Sequence, residues 1–390
     1  MADQESLFLN RPDFARWGWR LGRRDARQSP AAAAVETNTS RQLVSIQILR
    51  AFAALMVVIF HVTDNAFSQS LGTVPVFMIG NAGVDIFFVI SGFVMYLSTR
   101  SPTITPARFW EARIVRIVPL YYLATLTFLA VVLLLDRLPA DFSAFEIVLS
   151  GLFIPFRNSL NGQEVPLLGV GWTLNYEAMF YLVVGLAIAI APLQRKMQIV
   201  FIASVLCVLV VGRFLFEPTG AVGIRMTSPI LLEFLSGMML GVIESRRPRR
   251  QIVLGAAMIA AGVALMVFLD SRAGTMPRTI GYGLPAVLIV QGFILCEGLM
   301  RHRSLRLLRW FGDASYSIYL VHGIVIYAIV SPFSAYLPRS EASCVVLFVL
   351  ACGAGLLCYE YVEQPLLRAS KSVLSSVRRK YAAAKGAIDG

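Results

Sequence analysis

The sequence predicts an all-α, polytopic integral membrane protein of about ten transmembrane helices. Three observations carry that prediction. The 390 residues are 57% hydrophobic and 15% charged, where a soluble domain has about a quarter of its residues charged. Apolar runs recur along the whole chain, many of them near the roughly 20 residues that a helix needs to cross a bilayer core of about 30 Å. The cations collect between those runs, far more on one side than on the other. The net charge of +12 therefore reads as membrane topology and implies no nucleic-acid partner, because the cations do not gather on one face.

The elements follow in order. Residues 1–42 form a basic tail, with seven arginines counting Arg41 and without the apolar stretch of a signal peptide. Within it, "FARWGWRLGRR" has the make-up of a short amphipathic helix on an anionic leaflet, although a plain unstructured tail is the favoured reading. A membrane domain over 43–367 follows, with spans expected at 43–62, 77–97, 116–135, 172–191, 198–215, 229–243, 252–269, 281–300, 314–335 and 342–361. The segment "FEIVLSGLFIPF", 145–156, is too short to span and reads as re-entrant or interfacial. Residues 368–390 form a second basic tail. With ten spans, 27 Lys and Arg residues fall on the side of the termini and 7 on the other, with Arg50 inside a span. That bias predicts both termini in the cytoplasm. No internal repeat is evident, so nothing points to the inverted halves of many transporters. Cys207, Cys296, Cys344, Cys352 and Cys358 all lie in apolar runs without a CxxC pair, and read as small buried hydrophobes with no metal site.

Polar residues inside the spans are the functional signal. In "ILRAFAALMVVIFHV", Arg50 and His61 are eleven residues apart. That is three turns plus about 20°, so both share one helix face, separated by a rise of about 16 Å. Arg50 near the inner leaflet can snorkel. His61 lies deeper, where it either makes a packing hydrogen bond or accepts a proton in a polar cavity. Asp64, one turn beyond, either orients the imidazole or lies in a solvated loop. Arg113 and Arg116 are i, i+3 neighbours, a pair that suits two phosphate oxygens as well as plain topological charge. Glu177 in "GVGWTLNYEAMFYL" is an intramembrane carboxylate and is expected to point inward. Asp85 opens the second span, and "GDASYSIYLVHG" puts Ser315, Tyr316, Ser317, Tyr319 and His322 at the start of the ninth. Glu360 and Glu363 end the tenth. Together these predict a polar interior on the cytoplasmic half, with one histidine deeper.

The set of motifs resembles the bacterial membrane-bound acyltransferase family 3, in its ExoZ-like, exopolysaccharide-production branch. The resemblance rests on the Arg50–His61 spacing, "GNAGVDIFFVISGFVMY", "FWEARIVRIVPLYYLATL", "GVGWTLNYEAMFYL", "SYSIYLVHG" and "YEYVEQPLL", in that order, over most of 43–367. It implies transfer of an acyl group, usually acetyl, from cytoplasmic acyl-CoA to a carbohydrate hydroxyl at the bacterial inner membrane, with Arg50 and His61 essential. The long arginine-rich N-terminal tail departs from the family pattern. The chain also lacks the fused hydrolase-like domain of some members, so the acceptor is expected to be bound directly, as a lipid-linked sugar among membrane lipid, or to be presented by polysaccharide-synthesis machinery. On this reading His61, Arg50 and Glu177 form the catalytic set, while Arg113, Arg116, Tyr316 and His322 form the set that binds acetyl-CoA. His61 would take the proton of the attacking hydroxyl, with His322 as the other candidate base. Direct transfer and an acyl-histidine relay both remain open. The rival readings are a transporter or flippase of a lipid-linked saccharide, using the same cavity without chemistry, and a scaffold protein that would tolerate loss of His61.

Overall fold

The computed structural model describes residues 43–64, 76–100, 104–246, 251–270, 276–333, 336–337 and 340–388, with residue 246 and residues 379–388 as backbone only. The readings made for residues 1–42 lie outside the described residues. Among the described residues there is no β-strand; nine helices are long and apolar enough to cross a membrane, and Thr279–Leu295 is a shorter apolar helix. These ten occupy the ten segments expected from hydropathy.

The first helix, α1, is Val44–Asp64. A 3-10 turn at Met78–Ala82 leads into α2, Gly83–Ser98. The third, α3, is Pro106–Leu134. Thr105 caps it by accepting from the Arg108 amide at 3.3 Å, and Pro106 occupies its first turn. It begins ten residues before the expected span, so Arg108, Arg113 and Arg116 are helix residues. Next, α4, Ala144–Gly151, is fixed by a capping box between Ser143 and Glu146. Its eight residues reach about 12 Å, so this segment does not cross.

A 3-10 turn at Gly169–Gly171 opens α5, Trp172–Ile190, which is followed by α6, Arg195–Phe216. The sixth crossing combines α7, Ala221–Met226, with α8, Leu231–Arg246, and is longer than expected. After α9, Ile252–Asp270, a π-turn at Thr279–Gly283 precedes α10, Leu284–Leu295. The chain leaves α10 earlier than expected, through 3-10 turns at Leu299–Arg301 and Arg303–Leu305. Then come α11, Arg306–Asp313, α12, Ser315–Phe333, and α13, Glu341–Cys358. A second π-turn, Tyr359–Glu363, joins α14, Gln364–Ile388. The expected basic C-terminal tail is thus helical through Ile388, and Arg378 on it pairs with Glu111 of α3.

Burial separates centre from rim. In their apolar windows α1 is 61% and α2 72% buried, against 17% for α6 and 22% for α9. Rim helices expose large apolar side chains such as Leu126, Val208, Phe214 and Val349. So many exposed apolar side chains on helices of spanning length belong in lipid. Cys207 is exposed, whereas Cys296 and Cys352 are buried. Lipid tails are as apolar as leucine, so the centre is held by close backbone approach and polar partners. At the α2–α8 crossing a Cβ on Gly92 would run into the Phe234 carbonyl, and one on Gly237 into the Val89 carbonyl. Gly237→Val is therefore expected to force the two helices apart and cost about 1–3 kcal/mol. A thermal midpoint in detergent equal to the parent's would refute this reading of the crossing.

The start of α1 is held from another part of the chain. Glu297 accepts from the Val44 and Ser45 amides at 3.2 and 2.8 Å and from Arg301 Nε at 3.0 Å. Burial pushes this carboxyl up, but the bonds from Ser45, Arg301 and Val44 outweigh it and hold it below the usual carboxylate range. A carboxylate at a helix N-terminus also suits the helix dipole.

Candidate active site

The two polar residues of α1 both reach α12. Arg50 Nε donates to Ser315 Oγ at 3.1 Å. One level further along, the His61 and His322 rings meet edge to face with centroids 4.9 Å apart. The shared helix face expected for Arg50 and His61 is thus the face turned to α12. His322 does lie in the first half of α12 and His61 near the end of α1, yet the two rings are in contact, so the interior holds a histidine pair where one deeper histidine was expected.

Each imidazole is oriented by its own helix. His61 Nδ1 lies 2.9 Å from Val57 O, and His322 Nδ1 lies 3.1 Å from Ile318 O. A carbonyl only accepts, so each Nδ1 carries the hydrogen and each neutral ring keeps Nε2 as an acceptor. Of the two readings open for Asp64, orienting group or loop residue, the first is not needed for the observed bond, which is to the backbone of the preceding turn. His322 is fully buried, and its Nε2 has no hydrogen-bond partner among the described residues. Tyr319 packs against His322 with centroids 5.9 Å apart. Its hydroxyl lies 3.1 Å from Thr173 Oγ1 and donates to Val170 O at 2.8 Å.

Toward the arginine-rich end lies a charged group. Arg50, Arg116, Glu177 and Glu363 are close enough to interact electrostatically, with Asp313 at the edge. Glu177 accepts from Tyr181 OH at 3.0 Å, and Glu363 from Ser317 Oγ at 2.6 Å. The carboxylates offset cations that are costly to hold inside a bilayer. Among the described residues no hydrogen bond joins Glu177 to either histidine. Tyr316 OH donates to Ile117 O at 2.8 Å. Arg113 stacks on Phe109 and Tyr181, at 5.6 and 5.9 Å from the ring centroids. It borders a groove of about 370 Å³ between α3 and α5, walled by Trp110, Ile117, Phe153, Leu174 and Leu182. A second hollow, of about 680 Å³, lies between Thr99, just after α2, and the start of α6 at Arg195, and touches none of these groups.

The opposite end holds charges that the spacing of motifs did not reveal. Arg278 donates to both Asp85 oxygens, at 3.1 and 2.7 Å, and to Asn81 O and Oδ1 at 3.0 and 3.1 Å. Glu233 is buried beside this pair, close enough for its carboxyl to interact with Asp85 and Arg278. The guanidiniums of Arg278 and Arg225 lie 5.7 and 5.3 Å from the Trp172 ring. In the sequence Arg225 and Arg278 counted only as loop charges. Asp85 at the opening of the second span was one signal, and Glu233 within "PILLEFLSGMMLGVI", an acid in a span, was the other. The polar interior is accordingly a column running from end to end, broader than the expected cytoplasmic half. Among the described residues no group of three or more His, Cys, Asp or Glu is placed to hold a metal ion.

The bundle is a polytopic membrane protein with a buried histidine pair and with Arg113 beside an apolar groove, and similarity to known proteins makes it an acyltransferase. Residues 43–358 match the family described as "Acyltransferase domain", and the chain belongs to it. It is similar to "Exopolysaccharide production protein ExoZ" of Rhizobium meliloti (strain 1021), 33% identical over 76% of this chain and 92% of that one. "Acyltransferase MdmB" of Streptomyces mycarofaciens is 28% identical over 84% of this chain and 92% of that protein. "Putative peptidoglycan O-acetyltransferase YrhL" of Bacillus subtilis (strain 168) is 25% identical over 85% of this chain, which spans 56% of that longer protein. No solved structure matches the chain.

Proposed function

We propose that the protein is an O-acyltransferase of the bacterial inner membrane that moves an acetyl group from cytoplasmic acetyl-CoA to a hydroxyl of a carbohydrate being exported. The acceptor is a saccharide, lipid-linked or supplied by polysaccharide-synthesis machinery. The observation that carries this reading is the His61–His322 pair, set on the same face of α1 as Arg50. The names of relatives linked to exopolysaccharide and peptidoglycan support the acceptor class. The 27-to-7 charge bias supports a cytoplasmic position for the arginine-rich end, where the donor would enter.

The step balances without outside reactants. The acceptor O–H gives its proton to His61 Nε2 while its oxygen attacks the thioester carbonyl. The C–S bond breaks, the thiolate leaves with the electron pair, and the proton is returned to it as the CoA thiol. Arg50, Arg113 and Arg116 hold the anionic part of the donor, with Tyr316 beside them, and Glu177 balances Arg50 and Arg116. The rise of about 16 Å between Arg50 and His61 suits an extended pantetheine arm. A relay is the second reading, favoured by two adjacent imidazoles that both keep Nε2 free: one would carry the acyl group while the other carries the proton.

The decisive experiment is thiol release by the purified protein with acetyl-CoA, with and without saccharide acceptors. Acceptor-dependent release, with an acetylated glycan by mass spectrometry, is the expected result. Its absence across acceptors and acyl-CoAs returns the column to a transport role. Donor binding has its own test. Arg113→Gln with Arg116→Gln should raise KM for acetyl-CoA at least tenfold, since each charged contact contributes about 1.5–3 kcal/mol. An unchanged KM in a folded double variant reassigns both arginines to topology.

A further inference from the structure

The end of the bundle away from the donor carries two arginines around one indole, and they are not equivalent. Arg278 is neutralised by its paired contacts with Asp85, with Glu233 close behind. Arg225 forms no ion pair among the described residues. Its one hydrogen bond there is from Nη2 to the Glu164 backbone carbonyl at 2.7 Å. Its guanidinium is stacked 5.3 Å from Trp172 and 5.8 Å from Tyr176. Stacking uses the flat face of a guanidinium and leaves its N–H edge free. Of five N–H donors one is engaged, so a fork remains that fits a carboxylate or phosphate. Arg225 and Trp172 are both half-buried, so the fork lies at an accessible rim and not in a sealed core.

We propose that Arg225, held on Trp172 and Tyr176, is a subsite for an anionic group on the acceptor saccharide. The ligand class is an acidic sugar bearing a carboxylate or a phosphate. This rests on the acyl-transfer reading and names the acceptor it would take. The placement supports it. Thr173 follows Trp172 in the chain and its hydroxyl meets Tyr319, whose ring packs on His322, which packs on His61. These contacts join the Arg225 subsite to the proposed base through an unbroken series of polar and aromatic side chains. Arg278, already paired, anchors the indole that holds Arg225 in place.

The test is equilibrium binding to the purified full-length protein by calorimetry. The probes are a glucuronate-containing oligosaccharide, its carboxyl-reduced neutral form, and a sugar phosphate of similar size. The acidic oligosaccharide should bind at least tenfold more tightly than the neutral one, and Arg225→Gln should abolish that preference. Arg225→Lys, which restores charge without the fork, should regain part of it and shows that the Gln variant is lost through charge and not through misfolding. A preference for the sugar phosphate over the glucuronate identifies phosphate as the anion recognised. Equal affinity for acidic and neutral forms, or a preference that survives Arg225→Gln, overturns the subsite. The readout is independent of catalysis. Binding that follows this pattern without any thiol release sinks the transfer reading alone, and transfer without discrimination sinks the subsite alone.

Discussion

His61→Ala is expected to lower acyl transfer by about 10²-fold or more, the usual loss when a general base is removed. The drop should appear in kcat and leave KM for acetyl-CoA nearly unchanged, because the imidazole acts on the proton in flight and not on the resting donor. The variant should insert and fold, since among the described residues the His61 ring bonds only its own helix, through Val57 O, and packs on Phe60 and His322. His322→Gln supplies the companion result. If the two rings act as a unit, the double variant should be no slower than the slower single variant. Independent multiplication of the two losses would show that His322 only packs. Full acylation of surface polysaccharide in a strain carrying His61→Ala at equal protein level would exclude the mechanism.

Arg278→Ala is expected to have the largest effect on stability. It strands two carboxyls, Asp85 at 0% and Glu233 at 1% exposure, with no cation left between them. Removing one partner of a buried pair costs about 3–5 kcal/mol, because the remaining charge keeps its desolvation penalty without its attraction. The guanidinium is also stacked on Trp172 and Tyr282, so packing is lost with the charge. Adding Asp85→Ala to Arg278→Ala should recover part of the loss, since it takes away one of the stranded charges. Thermal midpoints of the single and double variants in detergent measure both effects. A double variant less stable than Arg278→Ala would show that Asp85 contributes through contacts other than this pair.

The reading of the spans succeeded where the physics is local. Lipid cannot satisfy a bare backbone, so each crossing must be a helix, and a helix must carry an apolar run of the needed length. Boundaries failed where that rule is silent. The arginines at the start of α3 are compatible with helix, and only the Thr105 cap with Pro106 shows that it begins there. The short α10 ends early because the chain turns at Cys296 to bring Glu297 beneath α1.

The site divides in the same way. The common face of Arg50 and His61 follows from helix geometry alone, and so does the pairing of Arg113 with Arg116 on neighbouring turns. By itself, then, the sequence determined an all-α membrane protein, its polar first helix and, through its motifs, its family. Tertiary structure decided that His322 is the neighbour of His61, that Arg278 joins Asp85 across 193 residues, and that Arg225 has no ion-pair partner among the described residues. The reason is physical. Hydropathy and helical period are properties of a segment, whereas in lipid the choice of helix partner depends on small-residue contacts and on which buried polar group finds which other, and many pairings satisfy the same sequence pattern.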